Sequence, residues 1–156
     1  MALVEVKLTI ADVTYATIEA VERYNFNRDV GNDSSKVSKT WPEAIAREIN
    51  GVIAEIAVAR WKDKYPITLF ADRKSGDVGE FEVRSTAYSY GKLLFQPDDN
   101  KNRRYFFVTV DGHYKANIVG WLWGWEGIQD QFWDTNMPVP CYAVPQSLLH
   151  DPEELD

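Results

Sequence analysis

Cysteine is nearly absent: the 156 residues include one, Cys141, so no disulfide can form within the chain. A single thiol fits a reducing compartment. Set between Pro140 and Tyr142, with no CxxC partner and no nearby histidine, it does not read as a nucleophile. Histidine is nearly as scarce, and neither His113 nor His150 has partners at a metal-ligand or triad spacing. No apolar run approaches the roughly 20 residues of a membrane span, and Met1 to Val6 lacks the basic-then-apolar order of a signal peptide. The expectation is a cytoplasmic protein without a membrane partner. A Walker glycine loop and GxGxxG are both missing, which removes support for nucleotide-cofactor chemistry. Positive charge is also short, 17 Lys and Arg against 24 Asp and Glu, for a net charge of −7. Proteins that grip nucleic acid non-specifically rely on cations against phosphates. This balance argues against a strong binder of that kind, unless cations cluster locally or a metal cancels part of the acidic charge.

What the chain does contain suits one α/β domain over residues 1–156, with 45% hydrophobic residues available for a core. Leu3 to Thr9 alternates as a strand. Asp12 is placed to cap a helix running to about Tyr24, with Val13, Ile18 and Val21 on its apolar side. Asn25 to Lys39 is rich in turn formers and reads as a loop. Thr40-Trp-Pro-Glu43 carries an N-cap, a first-turn proline and a capping-box acid. It opens the strongest helix, whose stripe is Ile45, Ile49, Val52, Ile56 and Ala59. Glu48 and Glu55 fall along the edge of that stripe, as boundary acids paired with Arg47 or Lys62, or as a carboxylate set where helix meets sheet. Ile67 to Phe70 is a short strand and Asp72 to Gly76 a turn. After the stretch beginning at Asp77 come a strand at Lys92 to Phe95, turn chemistry from Pro97 to Asn102, and a hairpin of Arg104–Val110 and Tyr114–Trp123 around Asp111-Gly112. These strands are expected to form an antiparallel meander beside a helix. From Gly124 the chain reads as an irregular arm whose prolines disfavour a central strand.

The chemistry concentrates in Asp77-Val-Gly-Glu-Phe-Glu-Val-Arg-Ser-Thr86. In an extended strand Glu80, Glu82 and Arg84 share one face, with Phe81 and Val83 on the other. Asp77 has the wrong parity, but a bulge at Gly79 would turn it to the side of Glu82. Two acids and a cation would then meet on one surface, an arrangement suited to a divalent cation beside phosphate. The alternative is a solvated strand face with a cross-strand ion pair, contributing about 0–1 kcal/mol. Glu80 reads as a surface acid, or as the competing ligand if the strand is unbulged.

Asp77 followed by Glu82-Val-Arg84, downstream of a helix bearing Glu55, resembles the PD-(D/E)XK nuclease superfamily, most closely its small phage-associated members. The resemblance implies a restriction-endonuclease-like fold: a mixed, largely antiparallel sheet flanked by helices. Residues 41–123 would be the core, 1–40 an N-terminal extension and 124–156 a C-terminal arm. It implies Mg²⁺ or Mn²⁺ held by Asp77, Glu82 and Glu55, and phosphodiester hydrolysis of nucleic acid, with DNA expected as substrate. It also admits a homodimer. Arg84 stands where the superfamily usually has lysine. A guanidinium does not give up its proton, so its role would be to stabilise phosphate charge. The other functional class is a catalytically inactive nuclease-fold module for binding or assembly. Two further groups have paired readings. Lys92, Lys101, Arg103, Arg104 and Lys115 either follow a nucleic-acid backbone or are scattered solubilising charge. Trp121, Trp123, Trp125 and Trp133 either stack unpaired bases or serve packing and subunit contacts.

Overall fold

The computed structural model describes residues 3–29, 40–63, 77–112 and 114–155. The expected strand at 67–70, the turn at 72–76, most of the loop at 25–39 and His113 lie outside them. Strand β1 (Val4–Lys7) leads into helix α1 (Ile10–Asp29). Thr9, rather than Asp12, caps that helix: its Oγ1 accepts from Asp12 N at 3.1 Å while Asp12 Oδ2 accepts from Thr9 N at 2.8 Å. Asp12 is thus the reciprocal half of a capping box. The helix buries Ala16 and Ala20 and leaves Ile18 exposed, so small side chains set the contact face. Helix α2 (Trp41–Trp61) starts as its sequence requires, with Thr40 Oγ1 accepting from Glu43 N at 3.4 Å and a proline in the first turn.

Residues 52–59 of α2 are buried without interruption. A helix apolar all round is one covered on all sides, and α2 lies between α1 and a sheet. That sheet has the order β1-β5-β4-β2, with β2 (Phe81–Thr86), β4 (Arg104–Asp111) and β5 (Lys115–Trp123). β4–β5 and β5–β1 are antiparallel and β2–β4 is parallel. The meander expectation fails at this point: β3 (Leu93–Phe95) does not pair with β2. It leaves for a second sheet, β3-β7-β6, with β7 (Cys141–Val144) in the middle and β6 (Trp133–Asp134) at one side. Pro140 and Pro145 bracket β7 and leave its four residues able to pair, so a proline-rich tail still supplies a central strand. The first strand and helix, read as an extension, are built into the main sheet and its helical layer.

The main sheet carries a core on each face. Phe81, Phe106, Val108, Ile118 and Trp121 pack towards α2; Tyr105, Phe107, Leu122, Leu93, Phe95 and Leu149 pack towards the second sheet. A register shift between Phe107 and Val108 places Gly120 opposite the first and Ile118 opposite the second. The extra residue, Val119, reverses the parity of β5, bringing Trp121 to the same face as Ile118. The fold is therefore mixed α/β, with two sheets of predominantly antiparallel pairing and two long helices on one side. No helix among the described residues is long and apolar enough to cross a membrane.

Candidate metal centre and the adjoining cleft

Gly79 does have the special conformation that its place in the motif suggests, with φ +61°, but it makes a turn rather than a bulge. Val78 and Phe81 exchange both backbone hydrogen bonds, each 3.0 Å, around Gly79-Glu80. A two-residue loop with left-handed glycine at its first position is the tightest way to reverse a strand. The next pair out is Asp77 and Glu82. In an antiparallel ladder this non-hydrogen-bonded pair has its Cβ atoms about 4.5–5.5 Å apart on one face. The short spacing between the two acids is what a minimal hairpin needs.

The two carboxyl groups are near neighbours, so a proton on Glu82 is favoured. Burial, then the charge of Asp77 and the shared hydrogen bond, push Glu82 up to about 7, against the pull of Arg103 and Arg84. The magnitudes favour this outcome. Two bare carboxylates about 4 Å apart repel by ~1 kcal/mol in water and ~4 kcal/mol at an effective dielectric of 20. Asp77 is also anchored, since its Oδ2 accepts from Val83 N at 2.9 Å on the outer side of β2. Part of its role is therefore to satisfy an edge-strand donor.

The structure brings Asp77 and Glu82 together but sends the other expected groups elsewhere. Glu82 and Arg84 project to the face of Tyr105, whereas α2 covers the face of Phe81 and Val83. Glu55 lies on α2, 5% exposed, and is paired with Arg23 of α1 rather than with Arg47 or Lys62. Arg23 Nη1 donates to Glu55 Oε1 at 2.9 Å and its Nε to Glu19 at 3.2 Å. Glu55 Oε2 is 2.8 Å from the same Nη1 but out of line for a hydrogen bond, so it gains charge attraction without a donor. The consequence is asymmetric. Burial works against Arg23's charge, yet Glu55 and Glu19 outweigh it and hold the guanidinium above its ordinary value. Glu55 is pushed up to about 8, by burial first and also by the charges of Asp77 and Glu19. One arginine cannot neutralise all these acids. Glu48 is likewise raised, chiefly by burial, with Arg23 and Arg47 opposing.

Arg84 is held away from the pair. Its Nη2 donates to Asp99 Oδ1 at 2.9 Å, and the guanidinium lies 5.2 Å from the centre of the Tyr105 ring. Glu80 sits in the turn, largely exposed, paired with Arg104 at 3.0 Å. Among the described residues the cation nearest the acids is Arg103, whose Nη1 is 3.6 Å from Glu82 Oε1. Composition gave no reason to prefer it over the other scattered cations. Its signal is positional, immediately before a buried strand paired in parallel with β2. For Arg23 the signal was Glu19 four residues earlier on the same helix.

Among the described residues no group of three or more His, Cys, Asp or Glu forms a metal-binding cluster. The donor set is two carboxylates, oxygen ligands suited to a hard cation. Mg²⁺ is commonly held by one or two carboxylates, with waters and substrate phosphate completing its shell. The pair fits such an ion, because two neighbouring carboxylates lose their mutual repulsion when a cation lies between them.

Beside the pair opens a cleft of about 510 Å³ lined by Glu80, Asn100, Asn102, Arg103, Arg104 and Trp123. Compared with family models, curated proteins and solved structures, the chain matches none. Trp121 is buried and Trp123 partly so, while Trp125 and Trp133 are exposed, so the tryptophans divide between packing and surface. His150 bonds to Glu126 at 2.8 Å against the Trp121 ring. Cys141 is buried, and burial raises its thiol pKa.

Proposed function

We propose that this protein is a divalent-metal-dependent nuclease of restriction-endonuclease-like architecture, hydrolysing phosphodiester bonds in nucleic acid, with DNA as the expected substrate. The observation that carries the reading is the Asp77–Glu82 pair, set face to face by the Gly79 turn. The order of parts also supports it: a long helix, a turn bearing the first acid, then a strand with Glu82 and Arg84 two residues apart. Asp77 and Glu82 would hold Mg²⁺ or Mn²⁺. Such an ion, when bound, polarises a phosphoryl oxygen and makes a bound water more acidic.

The chain's own groups do the rest. Asp77, fixed by the Val83 amide, orients the pair. Arg103, 3.6 Å from Glu82, would hold a phosphate oxygen beside that acid, since a guanidinium matches phosphate geometry. Arg84 is the second cation, available once Asp99 is displaced. Glu55 stays ion-paired with Arg23 and influences the pair through charge. Linear and circular DNA incubated with Mg²⁺ or Mn²⁺ should be cut by the wild type. Glu82→Ala and Asp77→Asn should lose at least ~100-fold in rate. Failure of the wild type to cut either form, or full activity of Glu82→Ala, removes the enzyme reading. The second reading, a catalytically silent binding or assembly module, draws on the engagement of Arg84 by Asp99. It predicts no Mn²⁺ binding that Asp77→Ala abolishes in calorimetric titration.

A further inference from the structure

We propose that the cleft beside the acid pair receives an unpaired nucleic-acid strand, with Arg103 as the residue that holds the phosphate next to Asp77 and Glu82. The substrate class rests on the nuclease reading; the position of the strand and the choice of residue rest on geometry. Arg104, which also lines the cleft, is engaged on several sides. It pairs with Glu80 at 3.0 Å, and its guanidinium lies 5.1 Å from the ring centre of Phe81 and 5.0 Å from that of Trp123. Arg103 is held loosely by comparison. Its ion pair with Glu82 is 3.6 Å long, beyond hydrogen-bond range. A guanidinium so held can turn its fork to a phosphate.

The wall carrying Arg103 is built in advance. Arg103 O accepts from Gly124 N at 2.8 Å, Lys101 O from Trp125 N at 3.0 Å, and Asn100 O from the Tyr105 hydroxyl at 3.1 Å. A Cβ on Gly124 would stand 2.5 Å from Asn100 O, so glycine is what lets the loop approach. A rigid wall spares the ordering cost of binding. The cleft's volume is that of a small-ligand pocket and suits a nucleotide or two. Trp125, whose backbone amide bonds to this loop, is 52% exposed, and an exposed indole can stack on an unpaired base. The net charge of −7 argues against the broad cationic track that non-specific duplex binding uses.

The test is fluorescence anisotropy of a labelled 20-nucleotide single strand and the matching blunt duplex, at low salt in EDTA, where no metal contributes. The wild type should bind the single strand at least tenfold more tightly than the duplex. Arg103→Ala should weaken binding at least tenfold and reduce the slope of log K against log salt by about 0.7, the loss of one single-strand phosphate contact. Arg103→Lys should fall between, with circular dichroism confirming that both variants fold. Trp125→Ala should weaken the single strand several-fold and leave the duplex unchanged. Lys7→Ala removes a positive charge at the far end of the sheet, roughly 26 Å along β5 from Trp123, and should change affinity less than twofold. The proposal is overturned if the wild type binds no single strand, if Arg103→Ala binds as the wild type, if Lys7→Ala loses as much, or if the duplex binds equally well. The two readings fail separately. Strand binding lost in Arg103→Ala, without cleavage in Mg²⁺ or Mn²⁺, ends the nuclease reading and keeps the cleft; cleavage indifferent to Arg103 does the reverse.

Discussion

Glu82 is an acid made to keep its proton, first by burial and then by the charge of Asp77. Its pKa in the folded chain, about 7, lies above the ordinary 4.5, so the fold favours the neutral form. Stability from this group is complete below about pH 4.5 and is lost as pH rises through about 7; Glu55 extends the same loss to about 8. Thermal melts should therefore show a stability decline from pH 5 to pH 8.5. Glu82→Gln should flatten part of it, by on the order of 1 kcal/mol after allowing for partial exposure, or ~2–4 °C in Tm. A cation at the pair must displace that proton, so apparent Mn²⁺ affinity, read by calorimetry, should climb between pH 6 and 8 and vanish in Asp77→Asn. A pair that titrated like two isolated surface carboxyls would show neither trend.

At the level of elements, the turn and the helix pair make separate predictions. Gly79 holds φ +61°, which costs an L side chain about 1 kcal/mol or more. Gly79→Ala should thus lower unfolding free energy in urea by about that amount and weaken Mn²⁺ binding as the acids lose register. Arg23→Ala leaves Glu55 buried without its partner and should destabilise by about 3–5 kcal/mol above pH 8, less at pH 6 where Glu55 takes a proton. These elements differed in how legible they were. The cap of α2 could be read because Thr40, Pro42 and Glu43 act on their own backbone. The special backbone at Gly79 could be read, but not its form, because bulge and hairpin both use glycine. Glu55 looked like a boundary acid on one apolar stripe. Only the second layer, α1, shows that this stretch of α2 has no outer side.

On the scale of the molecule, β4 and β5 are shared by both cores, which ties them into one cooperative unit. Phe95, buried on the side away from the helices, should cost about 3–5 kcal/mol when cut to alanine. Helix loss by circular dichroism and tryptophan fluorescence should still coincide in that variant; separated transitions would show that the faces unfold independently. Strand identities were mostly readable from alternation, but partners were not. Nothing local to Leu93–Phe95 says that it joins Cys141–Val144 instead of its predecessor, because that choice is made by two apolar surfaces meeting at long range. Pairings of this reach also govern time. Val4 meets Ile118, so an outer strand must wait for a segment more than a hundred residues downstream, while the α1–α2 hairpin forms from neighbours. Closing so large a loop is entropically dear before any contact rewards it. Refolding after dilution from denaturant should accordingly be slow for a chain of this size, with helical signal gained well before the tryptophans reach their final surroundings.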